Sequence, residues 1–289
     1  MQKEPERLNP DLYKQWGDED LIRPIIPFLQ RTANYYMGGD GRVHTTMWGP
    51  ESDTPWSHNT SDSGRDCGLW HNIMFDLYGF IPTPCMECWK VVVAIDTVEQ
   101  LFDMDKMQQE LKEHSKCGIE VRDYVSRNYG AYFYNASIDE GQRRYRQVVD
   151  AISERLLLKV LLEPVDEDGY PKKVILKRGC TEFERKFPKS NNWVATTEQV
   201  QMEQRIVELF DRDFPLSEQL PIQKLHVYRK WIEFAVAHGD MTYLKFTDGK
   251  PMFPPPVTYH KIDLSTLAKI PLYTVHPIPE NVHGVNIVQ

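Results

Sequence analysis

Cys85 and Cys88 stand two residues apart in the Pro-flanked segment PTPCMECWK, directly before the apolar run WKVVVAI (89–95). Two thiols so spaced in a turn can present two thiolates to one ion, as a metal knuckle does. The same spacing serves thiol–disulfide exchange when it follows a strand and opens a helix, whose N-terminus lowers the thiol pKa. Here the pair precedes a predicted strand, which favours metal over redox exchange. Cys117 and Cys180 complete a set of four thiolates, enough for a tetrahedral zinc ion or for an iron–sulfur cluster. The wide gaps between Cys88, Cys117 and Cys180 fit neither a compact zinc finger nor a ferredoxin run. Zinc is preferred, because a structural ion needs no electron-transfer partner. The competing reading is that these small apolar thiols are buried at strand ends.

The fifth cysteine offers different chemistry. Cys67 and His71 are one helical turn apart, and an imidazole beside a thiol can generate a thiolate nucleophile. Cys67 also borders an apolar stripe of Leu69, Trp70, Ile73, Met74 and Leu77, so a structural thiol competes with a catalytic one. His114, three residues before Cys117, is a reserve ligand. Tyr132 and Tyr134 could stack on bases, and Lys177 and Arg178 lie in the basic stretch from Lys172 to Lys189, a combination suited to nucleic acid or to another protein. A net charge of −8 argues against a whole surface built for phosphate. No Walker loop, GxGxxG after a strand, HExxH or GxSxG is present.

The elements that must position these groups follow from periodicity. A buried strand at 89–95 leads into a helix opened by Asp96 or Thr97, then strands at 118–125 and 130–135. The capping box Ser137/Glu140 starts a helix whose stripe includes Leu156 and Val160 and which ends at Pro164; a strand at 173–177 follows. The order β-α-β-β-α-β predicts an α+β fold with a ferredoxin-like, split βαβ core. In that arrangement Cys85, Cys88, Cys117 and Cys180 all reach one sheet edge. An additional strand at 156–163 would remove Cys180 from the group.

Around this core (85–190) the sequence predicts an N-terminal region of helices and a long polar loop over 44–64 (1–84). A C-terminal region (191–289) carries helices opening at Thr196 and Pro221, a hairpin turning at Asp248 and Gly249, and a Pro/Tyr-rich arm. With 41% apolar residues, the 289-residue chain can bury a substantial core. Its apolar runs are far shorter than the roughly 18 residues needed to cross a bilayer, and MQKEPERLNP lacks a signal-peptide core. Five cysteines cannot all pair within one chain. The expectation is a cytoplasmic metal-binding accessory protein with contacts to nucleic acid or protein. The alternatives are an iron–sulfur redox enzyme and a thiol enzyme using Cys67 and His71.

Overall fold

The computed structural model describes residues 21–32, 35–45, 54–59, 67–211 and 218–252. Its strands are β1 (Tyr35–Met37), β2 (Val43–Thr45), β3 (Trp56–Asn59), β4 (Trp89–Ile95), β5 (Ser115–Ile119), β6 (Tyr129–Asn135) and β7 (Val174–Arg178). Its α-helices are α1 (Ile25–Leu29), α2 (Asp76–Tyr78), α3 (Thr83–Met86), α4 (Val98–Leu111), α5 (Ile138–Ser153), α6 (Thr181–Lys186), α7 (Thr197–Glu208) and α8 (Pro221–Ala237). A π-helix, Leu69–Phe75, leads into α2. The fold is mixed α/β, with one five-stranded antiparallel sheet in the order β3-β5-β6-β4-β7 and a separate β1-β2 hairpin.

Side chains alternate across a strand, so each residue of β4 belongs to one of two faces. Trp89 of β4 and Leu176 of β7 press against Gly141 of α5, where even a Cβ would come within 2.9 Å of Leu176. The Trp89, Val91, Val93, Ile95 side of β4 is therefore the helix-covered side. Register then places Lys90 and Val92, Tyr134 and Tyr132 of β6, Lys116 of β5 and Lys177 of β7 on the opposite side. A separate apolar cluster gathers Leu69, Trp70, Ile73 and Met74 of the π-helix with Phe183 of α6, Trp193, and Met202 and Ile206 of α7.

Local chemistry accounts for the helix starts. Thr97 and Gln100 close a capping box on α4, and Ser137 Oγ accepts from Glu140 N at 3.2 Å to begin α5. Several predicted bounds shift. The strand expected at 118–125 is β5, Ser115–Ile119, because Glu120 turns its side chain inward and Arg122 donates to it from both backbone and guanidinium. Glu120 N–H still donates to Asn128 O at 2.8 Å; beyond it these side-chain bonds take over, and Val121 is left exposed.

Helix α5 stops at Ser153, and a 3-10 turn follows at Lys159–Leu162. Leu158 and Leu161, three apart as that turn requires, are buried, while Leu156 is 76% exposed. Residues 156–163 are thus neither the end of a long helix nor an extra strand. The polar loop contains β3 at the sheet edge. The hairpin expected near Asp248 is instead a 3-10 helix, Met241–Phe246. The Pro/Tyr-rich arm lies outside the described residues. No helix among the described residues is long and apolar enough to cross a membrane.

Gly179 links β7 to α6 with φ +65°, and its backbone N–H donates to Cys88 O at 2.7 Å. A Cβ there would fall 2.4 Å from the Trp193 ring. Gly179→Ala is therefore expected to lose about 2–4 kcal/mol in urea unfolding, from left-handed strain plus overpacking. Gly169→Ala, with similar φ but open space, should lose only about 1 kcal/mol. Equal losses would mean that Trp193 adds no constraint.

Candidate functional site

A lysine inside an apolar strand needs a counter-charge, since an ammonium group without one is costly to bury. Lys90 is the single charged residue of β4 and is 8% exposed. Its Nζ donates to Sγ of Cys180 at 2.7 Å and lies 5.5 Å from the centre of the Tyr134 ring. On its other side Cys180 meets His71, whose Nε2 is 3.3 Å from the sulfur. Cys180 is the residue that caps α6, immediately after the left-handed Gly179. His71 projects from the π-helix and stacks on Phe183 of α6, with centroids 4.6 Å apart.

The charges are mutually stabilising. Burial alone would raise the Cys180 thiol, but the charge of Lys90, then the hydrogen bond and charge of His71, bring it down to about 6. Burial would likewise discharge Lys90, yet the negative charges of Cys180 and Cys88 hold its ammonium well above the ordinary lysine range. The group is a thiolate–ammonium pair with an imidazole against the sulfur.

Further groups complete the site. Cys67 is exposed at the start of its helix, while the protein packed around it and the charges of Cys180 and Cys88 raise its thiol. Cys85 is buried, with its thiol pushed up by that burial and by the charges of Cys180, Cys67 and Cys88. Lys116 lies against the Trp56 ring at 4.6 Å and the Tyr132 ring at 6.0 Å. Its pKa is lowered by burial and then by the charge of Lys90.

Helix α6 is fixed by ion pairs on both flanks. Arg122 reaches Glu182 at 2.8 Å and also grips the buried Glu120, while Lys177 holds Glu184 and donates to Thr181 Oγ1 at 3.0 Å. Burial alone would raise Glu182, but the Arg122 hydrogen bond and backbone donors hold its carboxyl near 2.

These positions revise the sequence reading. Because β5 begins at Ser115, Cys117 sits within the strand on its helix-covered side, fully buried and 3.7 Å from Asp105 of α4. It is on the opposite side of the sheet from Lys90 and Cys180, so the four-thiolate set Cys85, Cys88, Cys117 and Cys180 is not assembled. Among the described residues no group of three or more His, Cys, Asp or Glu side chains is placed to hold a metal ion, which overturns the four-cysteine zinc or iron–sulfur site.

His71 bonds to Cys180, 109 positions away, rather than to its helical neighbour Cys67, because α6 packs back on the π-helix through the stacked rings of Phe183 and His71. His114 stacks on Tyr134. Tyr132 is buried, with its hydroxyl bonded to Glu120, Arg122 and Arg127, and Arg178 donates to Met86 O at 2.5 Å and Ser190 O at 2.8 Å. Tyr132, Tyr134, Lys177 and Arg178 thus have partners inside the fold. Sequence reading missed Lys90, although a lone lysine in WKVVVAI was the available signal. Comparison with protein-family models, with curated proteins and with solved structures returned no match.

Replacing Lys90 by Met keeps the stem and removes the charge. The Cys180 pKa is expected to rise by about 1–3 units in Lys90→Met. The check is the pH dependence of ultraviolet thiolate absorbance, measured as the difference between each protein and its Cys180→Ser counterpart. An unchanged midpoint would mean that Lys90 does not set the ionisation.

Proposed function

We propose that this protein is a thiol enzyme in which the thiolate of Cys180 attacks an electrophilic substrate. One observation carries the reading: Sγ of Cys180 lies within hydrogen-bonding distance of both Lys90 Nζ and His71 Nε2. A thiol works as a nucleophile in its ionised form, and a lysine and an imidazole beside it are the groups that hold it so near neutral pH. His71, in contact with the sulfur, can also pass a proton to a leaving group, while Lys90 stabilises negative charge next to it. Cys180 is only partly buried.

The framework suits this role. The order β5-β6-β4-β7, with α4 and α5 on one face, supports reading the core as the split βαβ arrangement. Its other face is then left to carry Lys90 and to receive α6 and the π-helix.

Iodoacetamide tests the reading directly, with the modified cysteines located by peptide mass. Cys180 is expected to react first among the five, with half-maximal rate near pH 6, since its thiolate forms as pH rises through that value. At pH 7, His71→Ala and Lys90→Met should each slow Cys180 labelling several-fold. If Cys180 reacts no faster than Cys67 and its midpoint lies at the ordinary thiol value of about 8.5, the site is not an activated nucleophile.

A further inference from the structure

We infer that Cys180 and Cys88 form a dithiol–disulfide couple that reduces a hydroperoxide, with Cys180 as the attacking thiolate and Cys88 as the resolving thiol. The inference rests on Cys180 being the reactive thiolate, and adds a second sulfur and a substrate class.

The backbone brings the two residues together. The register of β4 with β7 pairs Trp89 with Arg178, and the Gly179 N–H bond to Cys88 O at 2.7 Å extends it by one residue. Directly paired residues of an antiparallel ladder have Cα atoms about 4.5–5.5 Å apart. Cys180 is the next residue after Gly179, one position from that backbone contact. Cys88 directly precedes β4, and the two-residue period of the strand carried back by one position gives it the side of Lys90, to which Cys180 is bonded. The charges of Cys180 and Cys88 both act on Lys90. Cys85, by contrast, is 6% exposed and packed in the apolar cluster.

The chemistry balances at these atoms. The Cys180 thiolate attacks one oxygen of ROOH, the O–O bond breaks, and the departing RO⁻ takes the proton held by His71 to leave as ROH. Cys180 is then a sulfenic acid. The Cys88 thiol attacks that sulfur, an S–S bond forms, and the hydroxyl leaves with the Cys88 proton as water. Two thiols have supplied two electrons to the peroxide. An external dithiol returns both to the reduced form by exchange.

The experiment uses the full chain, hydrogen peroxide as the probe and peptide mapping under non-reducing conditions. Stoichiometric peroxide is expected to consume two of the five thiols, to yield a Cys88–Cys180 linkage, and to be reversed by dithiothreitol. In Cys88→Ser, Cys180 should stop as a sulfenic acid trapped by dimedone, with its iodoacetamide reactivity retained. Cys67→Ser should still form the linkage. A Cys67–Cys180 or Cys85–Cys88 linkage, no linkage at all, or isolation of the protein with a metal bound to these thiols would each overturn the couple. Loss of the couple with rapid Cys180 alkylation intact would leave the thiolate reading standing; slow alkylation would remove both.

Discussion

An ammonium group in the middle of a β-sheet costs several kcal/mol unless an opposite charge meets it with good geometry. Lys90 creates that demand on a strand otherwise made of Val, Ala, Ile and Trp, and the sulfur of Cys180 answers it at 2.7 Å. The pairing couples two distant stretches of chain. It needs β7 beside β4, a left-handed turn at Gly179 to swing the chain off the sheet, and α6 seated so that its capping residue faces back onto β4. Removing either partner takes from the other the foremost of its counter-charges.

The surroundings convert that pair into a geometry. Phe183 of α6 packs against Phe75 and Trp193 and lies flat on His71, so the helix that places the sulfur also orients the imidazole beside it. Arg122 reaches Glu182 from the loop after β5, and its own position is fixed by the buried Glu120 and the Tyr132 hydroxyl. The π-helix matters because its wider turn changes which residues share a face, and such segments recur at functional sites. On the other side of the sheet, Asp105 is buried among Asn59, Gln109 and Tyr228, with Cys117 beside it. That network ties α4, β3 and α8 together and takes no part in the thiolate site.

Much of the framework was legible in the sequence, because it rests on local signals. The strand at 89–95, the Thr97 and Ser137 helix starts, and the openings of α7 and α8 follow from β-branched runs and capping residues. The site was only half legible. The sequence points to Cys180 and His71 but not to their pairing, since contacts between residues 109 positions apart carry no local signature. Cys117 was misplaced by the three-residue shift in the start of β5, which moved it from a loop before the strand into the strand itself. That shift arose where Glu120 and Arg122 satisfy each other and end a segment whose alternation looks like strand.

The central claim is the energetic coupling between Lys90 and Cys180, and a double-mutant cycle on folding stability measures it most directly. Lys90→Met, Cys180→Ala and the double variant would be compared with the native chain by urea unfolding at pH 7.5, where the thiol is ionised. The account predicts that the single substitutions together cost at least about 1 kcal/mol more than the double substitution does, because each alone strands a buried charge. Additivity within about 0.5 kcal/mol would contradict it.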